Sequence, residues 1–119
     1  MPGHRLLYYQ SASRERPFPD WLAKLGDLHA RARIQTRLSR LALGNFGDCG
    51  SVGEGVLELR IDWGPGYRVY FARVGDTILL LLCGGDKTTQ QKDINRAKTY
   101  FRDYKGRAKN AGASKPRRP

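Results

Sequence analysis

The chain is short of sulfur, of imidazole and of long apolar runs, and each shortage removes a class of function. Its two cysteines, Cys49 and Cys83, lie far apart with no CxxC spacing. Neither a zinc site nor a disulfide framework is indicated, and no metal or cofactor is expected. The longest apolar run, Ile78–Cys83, has six residues, against the roughly 20 that a bilayer-crossing helix needs. The opening MPGHRLLYYQ has no apolar stretch long enough for a secretory signal. The expectation is a cytoplasmic chain with reduced thiols and no membrane partner. Acidic residues are scarce too, 11 against 22 lysines and arginines, for a net charge of +11. Residues 105–119 hold six of the basic residues and none of the acidic ones, and the remainder still carries +5. Such an excess points to a polyanionic partner, with nucleic acid ahead of an anionic membrane.

What is there suffices for one domain, since 119 residues support a single core. RLLYYQ (5–10) reads as a strand. Phe18, Trp21, Leu22 and Leu25 then fall at helical spacing, and Gly26-Asp27 ends that helix while offering Asp27 as the cap of the next. In the second helix Ala30, Ile34, Leu38 and Leu41 form the buried stripe, and Arg33, Arg37 and Arg40 share another face. Gly44-Asn45 is a stop signal, and the two helices are expected to form a hairpin. The glycine-rich segment 45–55 reads as a loop leading into sheet. VLELRID (56–62) and YRVYFAR (67–73) alternate as strands, whereas TILLLLC (77–83) reads as a strand covered on both sides. In the last helix Thr88 and Gln91 have capping-box spacing, and Ile94, Ala97, Phe101 and Tyr104 mark one face. Residues 105–119 lack apolar periodicity and read as a disordered basic tail, which leaves 1–104 as the domain. The expected order is β-α-α-β-β-β-α, an α+β fold with a helical hairpin on a small, mainly antiparallel sheet and the helices on one face.

Parity sharpens the middle of the chain. If Leu57, Leu59 and Ile61 share a face with Tyr67, Val69 and Phe71, odd residues must oppose odd ones, because a slip of one residue flips every side chain. The Gly64-Pro65-Gly66 turn must then have an odd count or a bulge, with glycine supplying positive φ. Glu58, Arg60, Asp62, Arg68 and Tyr70 emerge together on a polar face. A solvated face with Arg60 paired to Glu58 or Asp62 is one reading of that pattern. A surface that grips phosphates and stacks bases, from Arg68 and Tyr70, is the other.

The stretch 18–98 carries a resemblance. Its Trp21-Leu22 segment, GNFGD, GVLELRIDWGPGYRVYF and LLCGGDKTTQQKDI resemble, in the same order, the addiction module killer protein group, which is related to HigB-like toxins within the RelE/ParE toxin superfamily. The resemblance implies a toxin neutralised by a co-expressed helix-turn-helix antitoxin, with an oligomeric toxin–antitoxin complex possible. RelE-like and HigB-like members cleave mRNA in the ribosomal A site, and ParE-like members inhibit DNA gyrase without cutting. Arg68, following Gly-Tyr, matches a phosphate-contacting catalytic position of the nuclease branch. Lys87 matches the basic residue after the last strand. A base-stacking tyrosine of the nuclease archetype has no aromatic counterpart near Gln91–Asp93, and the two histidines, His4 and His29, lie outside the matching motifs.

The implied function is therefore a type II toxin, a ribosome-dependent mRNA endonuclease using in-line 2′-OH attack without metal. The alternatives are a gyrase inhibitor acting by binding and a non-catalytic nucleic-acid-binding relative. The catalytic set is expected to be Arg68, Lys87, Arg60 and Tyr70, with Asp86 either a base or a helix cap. Arg33, Arg37, Arg40, Lys92 and Arg96 are expected to grip RNA phosphates of mRNA and ribosome.

Overall fold

Each helix starts where the sequence supplies a terminator or a cap. Pro17 opens α1 (Pro17–Lys24) in the first turn, where its missing N–H costs nothing. Asp27 caps α2 (Leu28–Ala42) by accepting from the backbone N–H groups of His29 at 2.9 Å and Ala30 at 3.1 Å. Gly44, at φ +94°, ends α2 in a conformation that glycine alone adopts without strain. Around these helices the computed structural model, which describes residues 3–114, has β1 (Arg5–Tyr8), β2 (Cys49–Gly53), β3 (Val56–Ile61), β4 (Tyr67–Val74) and β5 (Ile78–Asp86). A 3-10 turn over Lys87–Thr89 leads into α3 (Gln90–Ser114). The fold is α+β, with three helices and a five-stranded mixed sheet of order β1-β5-β4-β3-β2. β1 runs parallel to β5, and every other pair is antiparallel.

The β3–β4 hairpin has the expected register. Leu57 faces Phe71, Leu59 faces Val69 and Ile61 faces Tyr67. The connection is the odd-numbered loop 62–66, with Gly64 at φ +56° and Gly66 at φ +82°. β5 alternates only up to a bulge. Tyr70 pairs with Cys83 and Phe71 with Leu81, so Leu82 is the extra residue. That insertion puts Leu82 and Cys83 on one side of the sheet and turns Gly84 to the other, which is why the leucine run shows no clean period.

Four expectations need correction. The helices do not share one face. α1 and α2 cover one side, where Phe18, Ile34 and Leu41 pack on Leu59, Val69, Phe71 and Leu81. α3 covers the other, where Ile94, Ala97 and Phe101 meet Val56, Ala72, Leu80 and Leu82. The central strands are apolar on both faces, so a single helical layer would leave one of them wet. Segment 45–55 is not all loop, because Cys49–Gly53 pairs with β3 as an edge strand whose small residues contribute backbone more than side chains. Thr88 is not the cap of the last helical segment. Asp86 caps it, and the Gln91 side chain bonds Asn95. The helix also does not stop at Tyr104. It continues over Lys105–Ser114, and residues 115–119 of the expected tail lie outside the described ones. No helix among the described residues is long and apolar enough to cross a membrane.

Two adjacent glycines let the helices approach β5 closely. A Cβ on Gly84 would run into the Trp21 ring of α1, and one on Gly85 would meet the Asp93 carboxylate of α3. The Gly84-Gly85 pair is thus sandwiched between helices of the two layers, just before the strand delivers Lys87.

Candidate functional site

The expected cations converge. A cleft of about 350 Å³ at the turn end of the β3–β4 hairpin is lined by Arg60, Arg68 and Lys87 together with Asp48, Ile61, Asp62 and the Gly64-Pro65-Gly66 turn. Arg60 and Arg68 are direct cross-strand partners, an arrangement of like charges that repels unless something neutralises it. Lys87 arrives from the first residue after β5, and its stem lies against Gly66, where a Cβ would sit 3.1 Å from Cγ and Cδ. The glycine therefore serves twice, as a turn residue at positive φ and as the gap that admits the lysine.

Glu58 neutralises the arginines. It stands one alternation before Arg60 on β3 and is 2% exposed. Its Oε1 accepts from Arg60 Nε at 3.0 Å. Its Oε2 accepts from the Tyr70 hydroxyl at 3.0 Å and from Gln90 Nε2 at 2.7 Å. Arg68 Nε lies 3.8 Å from the same oxygen, an ion-pair distance too long for a hydrogen bond. That Nε is buried with no hydrogen-bond partner, although the Arg68 side chain reaches the cleft with 11% of its surface exposed.

The two arginines thus differ. Arg60 is engaged on both sides, since its Nη1 also donates to Asp48 Oδ1 at 3.0 Å. Hydrogen bonds to Asp48 and then to Glu58 hold its guanidinium even more firmly protonated than usual. Room for this pairing comes from Gly50 on β2, where a Cβ would stand 2.8 Å from Arg60 Nη2. Arg68 retains unfilled donors, and Lys87 is exposed with no carboxylate partner among the described residues. Those two are the cations left to meet an incoming anion.

Tyr70 requires a correction. Expected on an exposed face and able to stack on a base, it is fully buried under α3 with its hydroxyl on Glu58. Burial first, and the Glu58 hydrogen bond next, push its phenol far above the ordinary value. It buttresses the carboxylate and cannot reach a substrate in this conformation. Asp86 is likewise occupied, accepting from the Thr88 backbone N–H at 2.8 Å and from the Thr88 hydroxyl at 2.6 Å. The cap reading holds over the base reading.

The α2 arginines separate by role. Arg37 is an internal strut whose guanidinium donates to the carbonyls of Arg60, Phe46 and Asp48, tying the loop after α2 to β3. It is not free to bind phosphate as expected. Arg33 lies 4.0 Å over the Trp63 ring, and Trp63 Nε1 donates to Asp27. Arg40 is exposed. These residues border a groove of about 440 Å³ that shares Ile61 and Asp62 with the cleft, so Arg33 and Arg40 flank it from the α2 side. Lys92 and Arg96 are exposed but line hollows beside Trp21 and Asp93, away from the cleft. Arg96 is further occupied by Tyr100 at 3.1 Å and Asp93 at 3.7 Å. Cys83 is buried, its thiol pushed up to about 12 by desolvation, and it has no nucleophilic character at neutral pH.

Glu58 is expected from its alternation only as a surface partner of Arg60, and the sequence pattern does not single out Asp48 or Gln90. The period-2 pattern held a signal for Glu58, a carboxylate in phase with two arginines. Nothing local marked Gln90, which arrives from another element.

No protein-family model matches the chain. A Haemophilus influenzae protein named "Uncharacterized protein" is 56% identical to it over 81 residues, which are 68% of this chain and 82% of that protein. At that identity and coverage, the chain belongs to the same family as the Haemophilus influenzae protein.

Proposed function

We propose that this protein is a RelE/ParE-superfamily toxin of the HigB-like kind that cleaves mRNA on the ribosome. The observation that carries the reading is the meeting of Arg68 and Lys87 in one cleft, with donors unspent, beside an Arg60 already neutralised. In the reaction the 2′-hydroxyl gives up its proton to solvent as its oxygen bonds to phosphorus. The 5′-oxygen takes up a proton from solvent as the P–O5′ bond breaks, leaving a 2′,3′-cyclic phosphate and a 5′-hydroxyl. Negative charge grows on the non-bridging oxygens, where the planar fork of Arg68 and the ammonium of Lys87 stabilise it. Arg60 lines the same cleft from the neighbouring strand with its charge met by Glu58 and Asp48. The site is sparse, with Asp86 committed to its cap and Tyr70 buried. Sparse chemistry suits an enzyme whose substrate is held in line by a large scaffold, because positioning alone is worth several powers of ten. Arg33 and Arg40, beside the cleft, suit sequence-independent contact with ribosomal RNA phosphates. The RelE-like reading of the β-α-α-sheet-α order belongs to the same proposal, as do cytoplasmic location and an adjacent helix-turn-helix antitoxin.

Brief expression followed by primer extension on cellular transcripts tests it. Discrete cuts are expected with the wild type and none with Arg68→Ala. Purified protein should cut ribosome-bound mRNA and leave free RNA almost intact. The gyrase-inhibitor reading is favoured by one specific observation, the absence of an accessible aromatic or uncommitted carboxylate at the start of α3. Uncut transcripts together with impaired DNA supercoiling would decide for it.

A further inference from the structure

The cleft is organised from below by a group that does not face it. We propose that Glu58 is a positioning residue, whose buried carboxylate fixes the separation and aim of Arg68 and Arg60 so that the cleft meets a phosphodiester with its donors already set. The inference rests on reading the cleft as an RNA-cleaving site.

Three features of the geometry support it. The carboxylate is immobilised from three elements: Arg60 on β3, the Tyr70 hydroxyl on β4 and the Gln90 amide at the first residue of α3. Its two oxygens are used unequally. Oε1 binds Arg60 directly, whereas Oε2, with Tyr70 and Gln90 already on it, attracts Arg68 at 3.8 Å without accepting its Nε–H. Arg68 is therefore held by charge while its donors remain for a ligand. Finally, Arg60 and Arg68 face each other across the β3–β4 ladder, so without an anion between them they would repel and spread. Glu58 thus does what a surface counter-ion does not: it fixes the arginines in place and leaves Arg68 unsaturated.

Glu58→Gln keeps the shape and removes the charge. Three accounts of the residue then separate. If it merely lowers the positive potential of the cleft, the variant binds RNA more tightly and cleaves at least as well. If it is merely structural, binding and cleavage fall together with the melting temperature. Positioning predicts that affinity for an mRNA-programmed ribosome stays within about threefold or rises, while single-turnover cleavage falls by about 100-fold or more, the size expected from displacing a group near the reacting atoms. Cleavage within about threefold of wild type, or a parallel loss of binding and cleavage, overturns the proposal.

The arginine Nε–Hε resonances provide a readout independent of activity. Arg60 and Arg68 should each give a dispersed signal in the wild type, assigned with Arg60→Lys and Arg68→Lys. In Glu58→Gln the Arg68 signal should move to the position of free arginine. If it does not move, the positioning claim fails even where cleavage is lost. If the wild type leaves ribosome-bound mRNA uncut yet the Arg68 signal moves in Glu58→Gln, the nuclease reading fails and the placement of the arginines by Glu58 survives.

Discussion

The two faces of the sheet solve opposite problems. Under α1 and α2 the buried residues carry no charge, from Phe18 and Ile34 to Phe71 and Leu81. Under α3 the apolar patch around Val56, Ala72, Leu80 and Phe101 gives way, toward the cleft, to Glu58, Tyr70, Arg68 and Gln90. The two buried charged residues among the described ones, Glu58 and Asp93, are both on this side. The first face supplies burial, which is nondirectional and tolerant. The second gives up part of that burial to hold charge in one geometry, and buried charge rarely adds stability beyond what an apolar replacement would provide.

The largest effects should come from removing one residue from each face. Phe71→Ala empties a fully buried site and should cost about 3–5 kcal/mol in urea unfolding, with cleavage per folded molecule unchanged. Glu58→Leu strands the Arg68 charge and should cost a similar 3–5 kcal/mol or so, with cleavage lost. The faces then diverge on compensation. Adding Arg68→Leu to Glu58→Leu should restore part of the stability, whereas no second truncation beside Phe71→Ala should do so. If the double variant is as unstable as the sum of the single ones, the comparison between the faces is wrong.

A smaller effect is expected where the layers close on β5. In Gly84→Ala the new methyl must displace the Trp21 ring from the α1 side, an overpacking cost of about 1–3 kcal/mol. Trp21 fluorescence should report the displacement directly. Because Gly84 lies on the α1 face, Arg68 and Glu58 should be untouched and cleavage per folded molecule should hold.

These contrasts also show which parts of the structure were legible in the sequence. Asp27, the Ala30–Leu41 stripe of α2 and the odd-on-odd pairing of β3 with β4 were readable because each is a local pattern with one geometric solution. β2 was not, since Cys49-Gly-Ser-Val-Gly53 pairs by backbone and has no side-chain period to read. The side on which α3 packs was hidden by the Leu82 bulge, which scrambles the parity of β5. At the site, the shared face of Arg60 and Arg68 followed from parity, whereas Lys87 was singled out only by the family resemblance and joins them in the cleft. The burial of Tyr70 and Glu58 did not follow from parity, because it depends on a helix that starts only at Gln90, well beyond both strands in the chain.

Alkaline pH should affect the α3 face in particular. The Tyr9 phenol is pushed up to about 12, by burial first and then by its hydrogen bond to Asp103. The folded state therefore holds this proton more tightly than the unfolded chain, whose value is near 10.0. Its contribution is complete below about pH 10 and is lost as pH rises through about 12. The urea midpoint of the wild type should fall over that window, and Tyr9→Phe should fall less steeply. Equal slopes for the two proteins would remove Tyr9 from the account.

The smallest effect belongs to the surface pair that ties α3 to the β2–β3 hairpin. Arg102 Nη1 meets Glu54 Oε1 at 2.6 Å, with both side chains about half exposed. An exposed pair of this kind contributes about 0.2–1 kcal/mol and is screened by salt, so the deficit of Arg102→Ala should shrink in concentrated sodium chloride. Glu54 also sits at φ +55°, in the left-handed region where a side chain is strained. Glu54→Gly loses the same ion pair but relieves that strain, whereas Arg102→Ala also gives up the donation to Thr99 Oγ1 at 3.3 Å, so Glu54→Gly should be the less destabilising. The difference between the two variants then reports the backbone contribution of the hairpin together with the Thr99 hydrogen bond, apart from the ion pair. By the same reasoning, neither change should alter cleavage, because the pair lies on the α3 face but outside the network that holds Arg68.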